Sequence, residues 1–198
     1  NDYKSNSDDA YHQSAKYIHA CAMYKSEKTE LAFNECCRLL LTTALGELHN
    51  KCIRLAVACV PAAEYSSPSS GEKLTRLADL IRVRSGGKVC MEVESAIIRS
   101  LLAQGKTQAA ISALRTNILS SKTPMNNVLC FCSLLDNTLL RSNRPAENSF
   151  QKYILPKLSN LSRSQRNPSL IAICATSVAD GSWKDIAALE PLINSAID

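Results

Sequence analysis

The residues of this chain best equipped for chemistry are its nine cysteines and three histidines, and their spacing decides what they can do. Cys21, Cys36, Cys37, Cys52, Cys59, Cys90, Cys130, Cys132 and Cys174 are odd in number and scattered through apolar segments instead of flanking turns. That distribution argues against a secreted disulfide framework and for free thiols in a reducing compartment, cytoplasm or nucleus. Zinc needs two ligand pairs at tetrahedral spacing. Cys130 and Cys132 form a C-x-C with no second pair or histidine behind them, and His12, His19 and His49 all lie in the first quarter of the chain. A cysteine nucleophile needs a base within hydrogen-bond reach. On a continuous helix Cys37 and His49 stand about 18 Å apart, at about 1.5 Å per residue. Gly105-Lys106-Thr107 suggests a phosphate loop, but Ser100 stands where the first glycine belongs and the preceding residues read as helical, not as a strand. Glu92 and Glu94 are two apart and point to different sides of a helix. Glu27, Glu30 and Glu35 read as a solvated face. The expectation is a chain with no catalytic residue, no metal site and no cofactor, the cysteines being small core residues.

Charge is more informative. The net charge is +5. Residues 1–50 hold five Lys and Arg against seven Asp and Glu, whereas residues 51–166 hold seventeen against seven. Two basic clusters stand out. Arg82, Arg84 and Lys88 surround Gly86-Gly87; Arg141, Arg144, Lys152, Lys157, Arg163 and Arg166 surround two Ser- and Asn-rich connections. Both lie at expected helix ends, where cations complement the helix dipole. The alternative is an anion-binding strip for an acidic protein segment or for nucleic acid. Aromatic stacking platforms are sparse near these clusters, Phe150 and Tyr153 apart, which weakens the single-strand nucleic-acid reading.

The elements that position these residues are helices. Phe33, Cys37, Leu40, Leu41, Ala44, Leu45 and Leu48 recur at three- and four-residue intervals behind Thr29 and Glu30, a cap and a first-turn acid. Cys52, Leu55, Ala56, Cys59 and Val60 continue to Pro61; Leu74, Leu77, Ala78 and Ile81 lead to the glycine pair; Val93, Ala96, Ile97, Ser100 and Leu101 follow it. If Gly86-Gly87 were a two-residue hairpin turn, Ile81 would pair with Glu92 and Arg82 with Met91, so no face would be consistently apolar. A helix break is therefore expected. Further helices are expected over 106–120, 125–140, 146–161 (kinked at Pro156), 168–179 and from 182 onward. Residues 1–8 read as a disordered lead-in and about 62–71 as an exposed loop, with 9–198 as a single domain. Ser67-Pro68 in that loop fits a proline-directed modification site or, more simply, a flexible Ser-rich linker. Asn160-Leu161-Ser162 is an isolated glycosylation sequon. The chain starts at Asn1, not Met, and reads as an excised domain. Apolar runs such as Leu170–Ala175 fall far below the roughly 18–20 residues of a membrane span.

Alternating helices without strands predict an all-α fold of eight to ten helices, packed as irregular antiparallel hairpins in an α-solenoid-like stack or a compact multi-helix bundle. Glu94 to Pro124 resembles one tetratricopeptide-type hairpin, with Leu101 as the large residue of the first helix, Gly105 in the turn and Ala110 and Leu114 as the small and large residues of the second. It departs from that pattern at Glu94, Ile98 and Asn117, and no second copy follows at a fixed period. Irregular hairpins of the HEAT or tetratricopeptide-like sort are what the resemblance implies. Such stacks present grooves to helical segments. The expected function is a non-catalytic protein-interaction module, scaffold or adaptor, of an intracellular complex, binding an acidic or amphipathic helical partner. Nucleic-acid binding through residues 82–88 and 141–166 is the alternative. No membrane association is expected.

Overall fold

A computed structural model describes residues 2–88, 90–145 and 147–160, and their side chains except those of 2–8, 126, 150 and 159. The described residues form eight α-helices and no strand: α1 (Asp2–Lys25), α2 (Thr29–Thr42), α3 (Glu47–Ala58), α4 (Pro68–Arg84), α5 (Met91–Ala103), α6 (Thr107–Leu119), α7 (Met125–Arg141) and α8 (Leu155–Ser159). A short 3-10 turn covers Ala62–Glu64, and a π-helical turn covers Phe150–Ile154. The all-α expectation holds. No described helix is long and apolar enough to cross a membrane. The helices expected beyond residue 161 lie outside the described residues. The chain divides between Lys106 and Thr107 into two units. The segment that resembles a tetratricopeptide hairpin straddles this division, with α5 in unit 1 and α6 in unit 2.

Unit 1 is built from neighbouring helices. α2 packs on α1, α3 and α4, while α5 packs on α3 and α4. The three- and four-residue periodicity of α2 places Phe33, Cys36, Cys37 and Leu40 inward, all buried. Cys52, Ile53, Leu55 and Ala56 of α3 meet them, with Leu74, Leu77, Ala78 and Ile81 of α4 and Val93 and Ala96 of α5 completing one core. Unit 2 packs α6 on α7 and α7 on the π turn. Its buried residues include Ala110, Ile111, Leu114 and Ile118 from α6 and Val128, Phe131, Cys132, Leu135 and Leu139 from α7.

Four of the described helices end by one rule. Gly86 has φ +66° and Gly87 +84°, and the Gly87 N–H donates to the Arg82 carbonyl at 2.6 Å. This is the six-to-one bond of a left-handed helix terminus, which lets α4 stop without stranding its last carbonyls. Gly105 (φ +72°) ends α5 in the same way, with Lys106 N–H donating to Leu101 O at 2.8 Å. Residues other than glycine do this twice: Glu27 (φ 60°) ends α1, and Asn143 (φ 54°) ends α7. The expected break at Gly86-Gly87 is thus a helix terminus.

Four local expectations change. The lead-in expected over 1–8 is helical from Asp2, since no Gly or Pro interrupts 2–25. The stripe from Phe33 to Leu48 does not run on one helix. α2 ends at Thr42, Thr43 turns to extended backbone (ψ 141°), and α3 restarts at Glu47. The loop expected over 62–71 shrinks, because α4 begins at Pro68 with Ser67 at the cap position, an arrangement in which proline's missing N–H costs nothing. Pro156 sits in the first turn of α8, and the irregular backbone of this stretch is the π turn directly before it.

Candidate interaction surface

The basic clusters come first, because sequence singled them out. In unit 1, Arg82 and Arg84 occupy the last turn of α4 and reach in different directions. Arg82 pairs with Asp79 at 3.3 Å and, through Nη2, with Glu94 of α5, whose side chain is buried. Arg84 donates from Nη2 to the carbonyl of Thr43 at 2.9 Å, satisfying a carbonyl at the end of α2. Thr43 is buried. Its hydroxyl donates to Leu39 O at 2.8 Å and lies 3.4 Å from Nδ1 of the buried His49. Burial, followed by the positive charge of Arg84, pushes the His49 pKa below its ordinary value. Lys88 is exposed beyond the glycine pair.

In unit 2, Arg144 donates to the Gln108 side chain at 2.9 Å. Lys152 pairs with Glu147 at 2.8 Å and lies 5.1 Å from the centre of the Tyr153 ring. Lys157 donates to Ser120 O at 2.9 Å, just past the end of α6, and burial lowers its pKa. Arg141 is exposed in the last turn of α7. Arg163 and Arg166 lie outside the described residues. Of the seven described cations, five bind groups of their own unit. Lys88 and Arg141 make no ion pair among the described residues.

The acids that hold this network were not legible in the sequence. Glu147 accepts from Arg115, from Lys152 and from the Tyr153 hydroxyl at 2.8 Å. Asp136 accepts from Ser149 Oγ at 2.9 Å and from the backbone N–H groups of Glu147 and Ser149, both at 3.2 Å. One carboxylate thereby orders the connection that presents the other. The sulfur of Cys132 lies 3.8 Å from Ser149 O. Glu30, expected on a solvated face, pairs with Lys73 of α4.

The cysteines fall as core residues. Cys36, Cys37, Cys52, Cys59 and Cys132 are buried, Cys21 and Cys90 half-buried, and Cys130 exposed; Cys174 lies outside the described residues. Burial pushes the thiols of Cys52 and Cys59 up to about 11 and that of Cys132 up to about 12, well above the range of an activated nucleophile. His12 and His19 are exposed on α1. No group of three or more metal-ligating side chains occurs among the described residues.

Two surface features remain in unit 1. An open groove of about 560 Å³ lies between α4 and α5, with Ile97 and Leu101 in its wall and Arg76, Asp79 and Lys106 among its polar lining. At the end of α2, large aliphatic side chains are exposed. Leu41 (57% exposed) lies two residues before Thr43 and Leu45 (61%) two after it, while Val83 (82%) adjoins Arg84, which holds the Thr43 carbonyl. Sequence periodicity assigned Leu41 and Leu45 to the core; Leu41 lies on the outer side of α2 itself, and the break after Thr42 takes Leu45 off the helix. No family model, curated protein or solved structure matches this chain.

Proposed function

We propose that this chain is a non-catalytic protein-interaction module, a scaffold or adaptor of an intracellular complex, and that unit 1 docks an amphipathic helical segment of its partner. The observation that carries the reading is the trio of exposed aliphatic residues, Leu41, Leu45 and Val83, joined through the Arg84–Thr43 hydrogen bond. Exposed apolar surface marks interaction sites when it gathers, and the Arg84–Thr43 bond ties together the ends of α2 and α4 near which these side chains lie. Arg38, Arg84 and Lys88, all exposed, border the trio in sequence and favour acidic residues on the partner's polar face. The odd number of cysteines and the burial of most of those described support a reducing compartment. The nucleic-acid reading has less support, because most of its cations already bind groups within their own unit.

Selection of amphipathic helical peptides against the intact chain, with affinities measured by calorimetry, tests the proposal. Selected peptides should carry acidic flanks, and Leu45→Asp or Val83→Asp should weaken them at least about tenfold, as loss of an apolar anchor does. Peptides indifferent to both substitutions overturn it. So does salt-sensitive binding to single- or double-stranded DNA or RNA that is lost when Lys88 and Arg141 are reversed, since phosphate contacts release counterions.

A further inference from the structure

Thr43 carries a different partner on each of its two oxygens. Its carbonyl accepts from Arg84 Nη2 at 2.9 Å, and its hydroxyl lies 3.4 Å from His49 Nδ1. The hydroxyl proton goes to Leu39 O, at 2.8 Å the shorter contact. The hydroxyl oxygen is left to accept from Nδ1–H, and Nε2 is then the ring nitrogen that takes up a proton. Thr43 is 1% exposed and His49 3%, whereas Arg84 is exposed. A proton on His49 therefore sets a second positive charge near a guanidinium across buried polar atoms, where water screens it little.

Burial and then the charge of Arg84 oppose protonation of the ring. Carboxylates of the surrounding helices are paired elsewhere: Glu35 with Arg38 on α2, Glu47 with Lys51 on α3, and Glu92 and Glu94 of α5 with Arg54 and Arg82. Helix α1 sends the uncharged Gln13 to the neighbouring Thr42 O, and its His12 and Lys16 are exposed, as is Lys88 beyond α4. Coupling between two charges is reciprocal: as much as Arg84 disfavours the proton on His49, the proton disfavours Arg84 on Thr43 O. Arg84 is the group able to yield, because an exposed guanidinium exchanges a hydrogen bond for water at small net cost. Arg82, two residues earlier, stays anchored by Asp79 and Glu94.

We infer that His49 is a proton-operated latch on the last turn of α4: neutral, it lets Arg84 close on the Thr43 carbonyl; protonated, it drives Arg84 off and frees the turn from Arg84 to Gly87. The buried Leu74, Leu77 and Ala78 and the Arg82 pairs hold the rest of α4, so the opening is local. The latch is independent of whether Leu41, Leu45 and Val83 dock a partner, and its test needs none. Where they do dock one, acidification weakens the docking.

Two-dimensional NMR of the isotope-labelled chain tests the inference, titrated from about pH 7.5 to about pH 5, either side of the ordinary histidine value. The Arg84 Nε signal and the amides of Ser85 and Gly87 should shift with the midpoint of the His49 ring. Hydrogen exchange at Gly87, whose N–H donates to Arg82 O, should quicken about tenfold on the acid side after correction for the intrinsic rate. Arg84→Met should raise the His49 midpoint by about half to one pH unit, and His49→Gln should leave the end of α4 insensitive to pH. Arg84 is exposed, so Arg84→Met reads the coupling even where His49→Gln fails to fold. Circular dichroism should hold constant through the midpoint. A ring that stays neutral throughout, Arg84 and Gly87 signals that ignore its midpoint, or a midpoint unmoved by Arg84→Met overturns the inference. So does a pH response at Gly87 that survives in His49→Gln, or loss of the whole helical signal over the same range.

Discussion

The interior of unit 1 where α1, α2 and α3 meet and the interior of unit 2 behind α7 are held by different forces. The first is apolar and thiol-lined: Cys36, Cys37, Cys52 and Cys59 fill it beside Phe33, Leu40 and Ile53. The second adds to its aliphatic residues two carboxylates, Asp136 and Glu147, that collect hydrogen bonds from the connection after α7. An apolar core depends on volume and tolerates any shape that fills it. A carboxylate hub depends on direction, and fails when one acceptor goes because its donors are left without a partner. The comparison teaches where each unit is fragile: the first to cavities, the second to conservative polar changes.

The largest effect should come from Phe33→Ala, which removes a buried ring from the first core and should cost about 3–5 kcal/mol in chemical denaturation, whereas Cys36→Ala nearby should cost about 1 kcal/mol. Equal losses would mean that the core is not limited by volume. Next is Glu147→Gln. It keeps shape and removes charge, and should destabilise by about 2 kcal/mol, with Arg115, Lys152 and Tyr153 left short of an acceptor. A neutral result would reduce the hub to a surface decoration.

Alkali should weaken both regions and the first more, because among the described residues it holds several buried thiols against the one, Cys132, of the second. Thiols whose pKa is raised by folding stay protonated in the native state while the unfolded chain ionises, so stability is intact below about pH 9 and falls as pH rises toward about 11, the value for Cys52 and Cys59. Hydrogen exchange should show α2 and α3 opening first. On the acid side His49, neutral when buried, should cost stability as pH drops below about 6.5, because only the unfolded chain takes up the proton; His49→Gln should flatten that slope. The smallest effect is at a helix end: Glu27→Gly relieves a left-handed residue at the end of α1 and should stabilise by about 0.5 kcal/mol in thermal melts.

How far the fold was legible depended on whether the deciding force was local. Gly86, Gly87 and Gly105 announce helix ends by their chemistry, and the stripes of α4, α6 and α7 announce their buried faces by period. Leu45 misled because it continues the periodicity of α2 past a break at which Thr43, His49 and Arg84 meet, and Arg84 lies some forty residues away. Glu94 interrupts an apolar pattern and gives no local sign that Arg82 will meet it in the interior. Asp136 and Glu147 look like ordinary surface acids until a connection folds back onto them. The basic residues were visible as clusters, but their internal partners are tertiary and no spacing discloses them.

The Ser-rich stretch before α4 looks from its composition like the natural place to cut or extend the chain. Ser100 donates from its hydroxyl to Tyr65 O at 2.8 Å, and the Gln104 amide reaches Tyr65 O at 3.3 Å and Ser67 O at 3.2 Å, so α5 holds this backbone from the side. A protease must draw its target into an extended strand, and here it would first have to strip those carbonyls from α5. A reporter dye or fused domain inserted at Ser66 would carry the same penalty.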